Sequence, residues 1–134
     1  RLMISSVTKG QLFDYLYVLE DKLKGKKWVL YCGSFGSICR GKLKDSSDID
    51  ISIVRRPGLR NAMASIMFSV KEKKFADFKK IPLEIYISDS PENSIKRFKG
   101  ENNPVVISDT YNTIDNYYNE KLSISQAVKI NFVS

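Results

Sequence analysis

Two spacings of apolar residues recur along the chain and predict most of its helices and strands. Residues 9–24 carry four leucines at the three- and four-residue intervals of a helix with one buried face. Thr8 before this segment and Gly25 after it are residues that commonly begin and end helices. Residues 81–87 instead have an apolar residue at every second position, which predicts a strand with one buried face.

The stretch between these segments contains two further strand patterns. Trp28–Cys32 is a short apolar run that predicts a strand, and we expect Gly33 and Gly36 to break it. Asp48–Val54 predicts a second strand, in which isoleucines at every second position face the core. These isoleucines are Ile49, Ile51 and Ile53.

One long helix is predicted between the strands, and the patterns after residue 88 are weaker. The helix runs from Leu59 to Lys79, with an apolar face that we expect to be buried and a basic face opposite. The expected buried residues are Leu59, Met63, Ile66, Met67, Val70 and Phe78. Beyond it we expect a helix over 90–99, a strand at Val105–Ile107 and a helix over 110–120. Helices and strands that alternate in this way predict an α/β fold, here as a single domain over 1–134.

Composition changes this picture in three respects. The net charge of +7 favours contact with a polyanion, although lysines scattered over a solvated surface give the same total. Histidine is absent, which excludes a histidine base, a histidine metal ligand and a Ser-His-Asp triad. Cys32 and Cys39 are too few for a disulfide framework and are typical of thiols in a reducing compartment.

Membrane and export signals are not visible in the sequence. No apolar run approaches the roughly 20 residues that span a bilayer, and the first residues lack a secretory signal pattern. We therefore expect a cytoplasmic protein without membrane association. The chain starts with Arg1 rather than Met, which leaves its native N-terminus open.

Two carboxylates on the second strand are the strongest chemical signal. Asp48 and Asp50 are two positions apart, so in a strand they project from the same face, opposite the isoleucines. Two like charges side by side repel unless a positive group lies between them, and a divalent cation is the obvious candidate. Glu84 joins them if its strand lies alongside. A single glutamate on a strand is otherwise more often a solvent-facing residue.

Two glycine–serine pairs precede this strand. Gly33–Ser34 and Gly36–Ser37 follow the first apolar strand, where a turn can direct backbone amides and a hydroxyl at a phosphate. Arg40, Lys42 and Lys44 add positive charge that suits a polyphosphate, although a solvated basic loop has the same composition.

Together these residues resemble the nucleotidyltransferase domain of the DNA polymerase β superfamily, in particular its small, minimal members. Those proteins share a Gly-Ser pair, ten intervening residues and Asp-x-Asp. Gly36–Ser37 followed by Asp48-Ile49-Asp50 has that spacing, within a resemblance that covers residues 28–88. Gly33–Ser34 lies nearer the apolar strand, as the pair usually does in the family, so both pairs remain candidates.

The resemblance implies a fold and an activity. The fold is a mixed, partly antiparallel sheet with helices packed mainly on one face and the carboxylates on the open face. The activity is transfer of a nucleoside monophosphate from an NTP to an acceptor hydroxyl, with release of pyrophosphate. Asp48, Asp50 and Glu84 would be the catalytic residues and would ligate two Mg²⁺ ions, for which Mn²⁺ is an alternative. Glu84 departs from the aspartate that many members have at this point.

The same resemblance assigns the phosphate-binding residues. Either Gly36–Ser37 or Gly33–Ser34 would bind the β- and γ-phosphates, with Arg40 or Lys42 neutralising the leaving group.

Two alternatives stay open beside the enzyme. The chain is alternatively a catalytically inactive nucleotide-binding or partner-binding module on the same fold, such as the antitoxin-like half of a two-protein system. It is also alternatively an unrelated basic α/β protein whose acidic strand is coincidental. The acceptor, a partner protein, a nucleic acid or a small molecule, is not encoded in any pattern. Because the chain is short, we expect either that the acceptor site is shared with another chain in an oligomer or hetero-complex, or that the chain is a fragment.

Overall fold

The computed structural model describes residues 7–98, 103–118 and 120–132, which form four α-helices, four strands and a short 3₁₀ helix. In chain order these elements are α1 (Lys9–Leu23), β1 (Val29–Phe35), the 3₁₀ helix (Ser37–Arg40), β2 (Ile49–Arg55), α2 (Leu59–Lys79), β3 (Leu83–Ser88), α3 (Pro91–Arg97), β4 (Val105–Ser108) and α4 (Ile124–Asn131). None of the described helices is long and apolar enough to cross a membrane.

The strands form one mixed sheet in the order β3-β2-β1-β4. β1 is antiparallel to both β2 and β4, whereas β2 and β3 are parallel. Parallel neighbours need a crossover connection, which α2 supplies between β2 and β3. The expected mixed, partly antiparallel sheet is therefore confirmed.

The main core lies between one face of this sheet and α1, α2 and α4. The alternation of β2 places Ile49, Ile51 and Ile53 in this core, as the sequence predicts, and each is at most 1% exposed. Four leucines of α1 pack against them, again as predicted: Leu12, Leu16, Leu19 and Leu23. A capping box between Thr8 and Gln11 starts α1 at the predicted position.

The opposite face of the sheet is covered along part of its length. α3 reaches it at β2, where the hydroxyls of Ser52 and Ser94 are 2.6 Å apart. Near the end of β2, Tyr31, Val54 and Ile114 form a second, smaller apolar cluster. This face of the sheet is therefore contacted by α3 and by the segment before α4, so the expected open face is only partly open.

The bounds predicted for α2 are confirmed, but its predicted buried face is wrong. All six residues expected in the core are more than half exposed. The helix has a second stripe, with Phe68 and Phe75, and this stripe packs on the core. Trp28 meets Phe68 edge-to-face at 5.5 Å and Tyr15 stacks on Phe75 at 6.2 Å between ring centroids. Aromatic side chains bury a large area each and pair favourably with other rings, which favours this stripe for the buried face.

The inward stripe of α2 also carries a carboxylate, which the helical pattern alone would place in solvent. Glu72 is only 4% exposed. It accepts hydrogen bonds of 2.9 Å from the Tyr15 hydroxyl and from the Lys22 ammonium. These two hydrogen bonds from α1 compensate the lost hydration of the Glu72 carboxylate, so a charged residue is tolerated on the buried side of α2. Burial, followed by the Glu72 charge, raises the pKa of Tyr15.

The C-terminal region differs most from expectation. The helix predicted over 110–120 is wrong for its described residues, which form turns. Asp109 organises these turns, since its carboxylate accepts from the amides of Thr113 and Ile114. α4 follows instead, from a capping box between Ser123 and Gln126. The last residues of the helices predicted over 90–99 and 110–120 include positions outside the described residues.

Candidate functional site

The parallel pairing of β2 and β3 brings two of the predicted site residues together. In this register Asp50 lies beside Glu84, and on the other side of β2 Asp50 is opposite Phe35 at the end of β1. Asp48 lies one residue before β2 begins and is exposed. The three predicted carboxylates thus belong to one edge of the sheet, where β1 ends and β2 and β3 begin.

The turn after β1 passes close to one of these carboxylates. Gly36 has φ 101° and ψ −151°, a conformation essentially restricted to glycine. A Cβ atom at this position would lie 3.8 Å from Oδ2 of Asp50, which places the backbone of the turn beside the carboxylate. The 3₁₀ helix begins at Ser37, and the amide of Lys42 donates back to the Ser37 carbonyl at 3.0 Å. Gly36–Ser37 therefore forms a compact turn at the edge of the sheet that carries the carboxylates.

The other glycine–serine pair lies inside the sheet. β1 continues through Gly33 to Phe35, so the expectation that Gly33 breaks the strand is wrong, whereas the strand does end before Gly36. Ser34 is fully buried and its hydroxyl donates to the backbone carbonyl of Asp50 at 2.9 Å. A Cβ atom on Gly33 would lie 2.0 Å from the Tyr31 hydroxyl oxygen, so the tyrosine ring occupies the place of the missing side chain.

Basic residues flank the turn on one side only. Arg40 ends the 3₁₀ helix and Lys42 follows it, and both are exposed. Long cationic side chains in this position can reach an anion bound at the turn. The structure thus brings Gly36, Ser37 and Asp50 to one edge of the sheet, with Arg40 and Lys42 on the loop that follows.

Glu84 has a competing partner. Its Oε2 lies 3.5 Å from Nζ of Lys73 on α2, and the same ammonium donates to the backbone carbonyl of Leu83 at 2.5 Å. In the described portions of the chain, no three acidic or cysteine side chains converge to form a metal-holding group. The carboxylate oxygens have the hard-ligand chemistry that Mg²⁺ prefers. In this conformation, however, Glu84 is directed to a lysine.

An aromatic cluster beside the carboxylates was not predicted. Phe35 stacks on Phe98 at 4.3 Å with 7° between the ring planes, and Tyr86 meets Phe98 edge-to-face at 5.6 Å. Tyr118 approaches Phe35 at 6.2 Å. The period of two along β3 puts Tyr86 on the face of Glu84, so this member was predictable. Phe98 and Tyr118 come from distant segments, and no local pattern identifies them.

A basic cleft opens at the opposite end of the parallel strands. It has a volume of about 500 Å³ and contains the cations of Arg55, Lys96 and Arg97 together with Asp89. Arg55 is the last residue of β2, five positions beyond Asp50. At about 3.3 Å per residue, the cleft is roughly 16 Å along the strand from the carboxylates. Its Arg55 end is therefore distant from the carboxylates, whereas the guanidinium of Arg97 lies 4.9 Å from the centroid of the Tyr86 ring, next to the aromatic cluster.

Comparisons with protein-family models, with curated proteins and with solved structures find no match for this chain.

Proposed function

We propose that this protein is a Mg²⁺-dependent nucleotidyltransferase of the DNA polymerase β type. The observation that carries the proposal is the convergence of Gly36, Asp50 and Glu84. A Cβ on Gly36 would lie 3.8 Å from the carboxylate of Asp50, and the parallel register puts Glu84 beside Asp50. The spacing from Gly36–Ser37 to Asp48-Ile49-Asp50 supports the same assignment.

The proposed reaction is a substitution at phosphorus. An acceptor hydroxyl gives up its proton to solvent and its oxygen forms a bond to the α-phosphorus of an NTP. The bond from that phosphorus to the oxygen that bridges to the β-phosphate breaks, and pyrophosphate leaves. Asp48 and Asp50, with Glu84 as the third carboxylate, are the residues that would hold Mg²⁺. The bound ions would supply charge neutralisation on the phosphates and a lower pKa for the attacking hydroxyl.

The remaining groups of the site bind and orient the donor. In this proposal the amides and the Ser37 hydroxyl of the turn bind the terminal phosphates, because the turn lies beside Asp50. Arg40 and Lys42 balance the charge of the departing pyrophosphate. The proposal assigns this role to Gly36–Ser37 rather than to Gly33–Ser34, whose serine is buried and hydrogen-bonded within the sheet.

One observation favours a second candidate, a nucleotide-binding or partner-binding module without catalysis. Lys73 lies within 3.5 Å of the Glu84 carboxylate, where an active enzyme needs that group for metal. Both side chains are partly exposed, and ion pairs of this kind contribute about 0–1 kcal/mol. Mg²⁺ that binds together with the donor phosphates can therefore displace the Lys73 ammonium from Glu84. A nucleotide-binding module would therefore share the NTP-induced stabilisation but not the transfer, whereas a partner-binding module would show neither.

Thermal unfolding with each NTP, with and without Mg²⁺, tests the proposal first. A ligand that binds the folded state alone adds about 2.7 kcal/mol of stability at one hundred times its Kd. We expect one NTP to raise the melting temperature only when Mg²⁺ is present. Asp50→Asn should abolish this rise, while Asp21→Asn, which neutralises an exposed carboxylate on α1, should retain it.

Transfer is then measured with the NTP found in this way, labelled on its α-phosphate. Incorporation of label into an acceptor that is lost in Asp48→Asn and Asp50→Asn supports the enzyme. Mg²⁺-dependent binding without incorporation into protein, RNA or small-molecule acceptors supports the inactive module. A melting shift that survives Asp50→Asn and disappears in Arg97→Ala would mean that the nucleotide occupies the basic cleft, and the proposal would be wrong.

A further inference from the structure

The outward face of α2 carries a row of large apolar side chains that nothing in the described chain covers. We call this row the α2 stripe. It consists of Leu59, Met63, Ile66, Met67 and Val70, which are 78%, 55%, 59%, 58% and 51% exposed. Isolated apolar residues are normal on a surface, but a contiguous row of this kind marks an interaction site. The inward face of the same helix already supplies its packing on the core.

The spacing within the stripe is that of a helix-pairing seam. Leu59, Met63, Ile66 and Val70 follow one another at intervals of four, three and four residues. These are the a and d positions of a heptad, which meet a second helix along a narrow line. Met67 lies directly beside the line. The stripe is therefore shaped for one helix rather than for a flat surface.

We propose that the α2 stripe pairs with the α2 stripe of a second copy of this chain, with the two helices antiparallel. The pattern is complementary to itself in this orientation. When Leu59 lies opposite Val70 of the second copy, Met63 lies opposite Ile66, and the two-fold axis repeats both contacts. Such an isologous contact closes at two subunits.

The residues that flank the seam suit this orientation. On one side Ala62 lies opposite Ser69 of the second copy, and these small side chains allow close approach. On the other side Arg60 lies opposite Met67 of the second copy, so within this stretch no two like charges meet. A parallel pairing would instead stack Lys73 on Lys73 in the next layer of the seam and align the two helix dipoles. In the antiparallel pairing Lys73 lies beyond the first residue of the other α2, level with Arg56 of the second copy, so these like charges lie outside the seam.

The size and the charge of the surface determine how strong the dimer is. The stripe has five side chains per copy, against roughly 20–30 residues on each side of a standard interface. A contact of this size corresponds to a weak, concentration-dependent dimer. Each copy carries a net charge of +7, so added salt should strengthen the dimer by screening the repulsion. A stripe made for an acidic partner helix would show the opposite salt dependence.

Analytical ultracentrifugation over a range of concentrations tests the pairing. We expect the wild type to shift from 15.3 kDa to twice that mass as concentration rises, and to do so at lower concentration in higher salt. Ile66→Glu puts a carboxylate into both central layers and should weaken association at least a hundredfold. Val18→Glu makes the same kind of change at a 42% exposed position on α1 and should associate like wild type. Circular dichroism checks that both variants stay folded.

Cysteine cross-linking tests the register and orientation independently. In the antiparallel pairing Met63 faces Ile66 of the other copy, so a mixture of Met63→Cys and Ile66→Cys should form disulfide-linked dimers faster than either variant alone. The native Cys32 and Cys39 are buried, which keeps the wild-type background low. The proposal is overturned by a protein that stays monomeric at all concentrations, by a dimer that Ile66→Glu leaves intact, or by cross-linking of Met63→Cys alone as fast as of the mixture.

Discussion

The two glycine–serine pairs of β1 and its turn are three residues apart, yet they occupy different environments. Gly33–Ser34 lies within the sheet, where the Tyr31 ring fills the space beside the glycine and the serine hydroxyl bonds to the Asp50 backbone. Gly36–Ser37 lies after the strand, where the glycine adopts φ 101° next to the Asp50 carboxylate. One glycine is needed for space, and the other for its backbone conformation.

The difference shows how the same dipeptide serves packing in one place and a candidate phosphate site in the other. Both pairs lie next to Asp50. In the inner pair the Ser34 hydroxyl donates to the Asp50 backbone carbonyl, and in the outer pair Gly36 lies near the Asp50 carboxylate. The inner pair thereby fixes the β1–β2 pairing that presents Asp50 to the turn. Substitutions in the two pairs should therefore separate stability from nucleotide binding.

The largest effect on stability is expected for Gly33→Ala. The new Cβ would lie 2.0 Å from the Tyr31 hydroxyl oxygen and 2.6 Å from Cζ, and the fully buried ring has no space into which to move. Overpacking of this kind costs about 3 kcal/mol, measured as a lower free energy of unfolding in urea. The same substitution in a Tyr31→Leu background should cost much less. Equal losses in both backgrounds would exclude the tyrosine contact as the cause.

Gly36→Ala should affect stability less and nucleotide binding more. A Cβ here has room, with its nearest neighbour at 3.8 Å, so the penalty comes from the backbone conformation and amounts to about 2 kcal/mol. The relaxed turn would draw its amides away from Asp50. We expect the Mg²⁺-dependent melting shift with NTP to disappear. A variant with an unchanged shift would mean that the turn has no part in the site.

Ser34 and Ser37 allow the same comparison, with smaller expected effects. Ser34→Ala removes a buried hydrogen bond of 2.9 Å to the Asp50 carbonyl and should lower the unfolding free energy by about 1 kcal/mol. Its NTP-induced melting shift should remain. Ser37→Ala should leave stability within about 0.5 kcal/mol and weaken NTP binding severalfold in isothermal titration. The reverse assignment, with Ser34 as the binding residue, would require the opposite result.

The smallest effect concerns the hydroxyl that lies over Gly33. The Tyr31 hydroxyl has no hydrogen-bond partner in the described parts of the chain, and burial raises its pKa well above the ordinary value of 10.0. The unfolded chain therefore releases this proton first, and stability falls as the pH rises above 10.0. Tyr31→Phe should be neutral or stabilising at neutral pH and should lose less stability in alkaline buffer. Tyr17→Phe, at an exposed position on α1, serves as the control in urea unfolding at both pH values.

The sequence alone gave reliable predictions where one local pattern had one solution. The capped leucine pattern of α1 and the isoleucine alternation of β2 each predicted the correct element and the correct buried face. α2 was predicted with the correct bounds and the wrong face, because it has two apolar stripes. A local pattern cannot decide between them, since the choice depends on Trp28 and on the Tyr15 and Lys22 partners of Glu72.

The candidate site divides in the same way. The spacing between Gly36–Ser37 and Asp50 is visible in the sequence. The alternation of β2 also predicts the face of the sheet on which the Asp50 side chain lies. The position of Glu84 beside Asp50, its contact with Lys73 and the aromatic cluster around Phe98 depend on the pairing of strands distant in sequence. Which of the two identical dipeptides lies inside the sheet and which lies at the turn was likewise decided by tertiary packing. The Tyr31 ring occupies the space beside Gly33, and the strand continues to Phe35 before it turns.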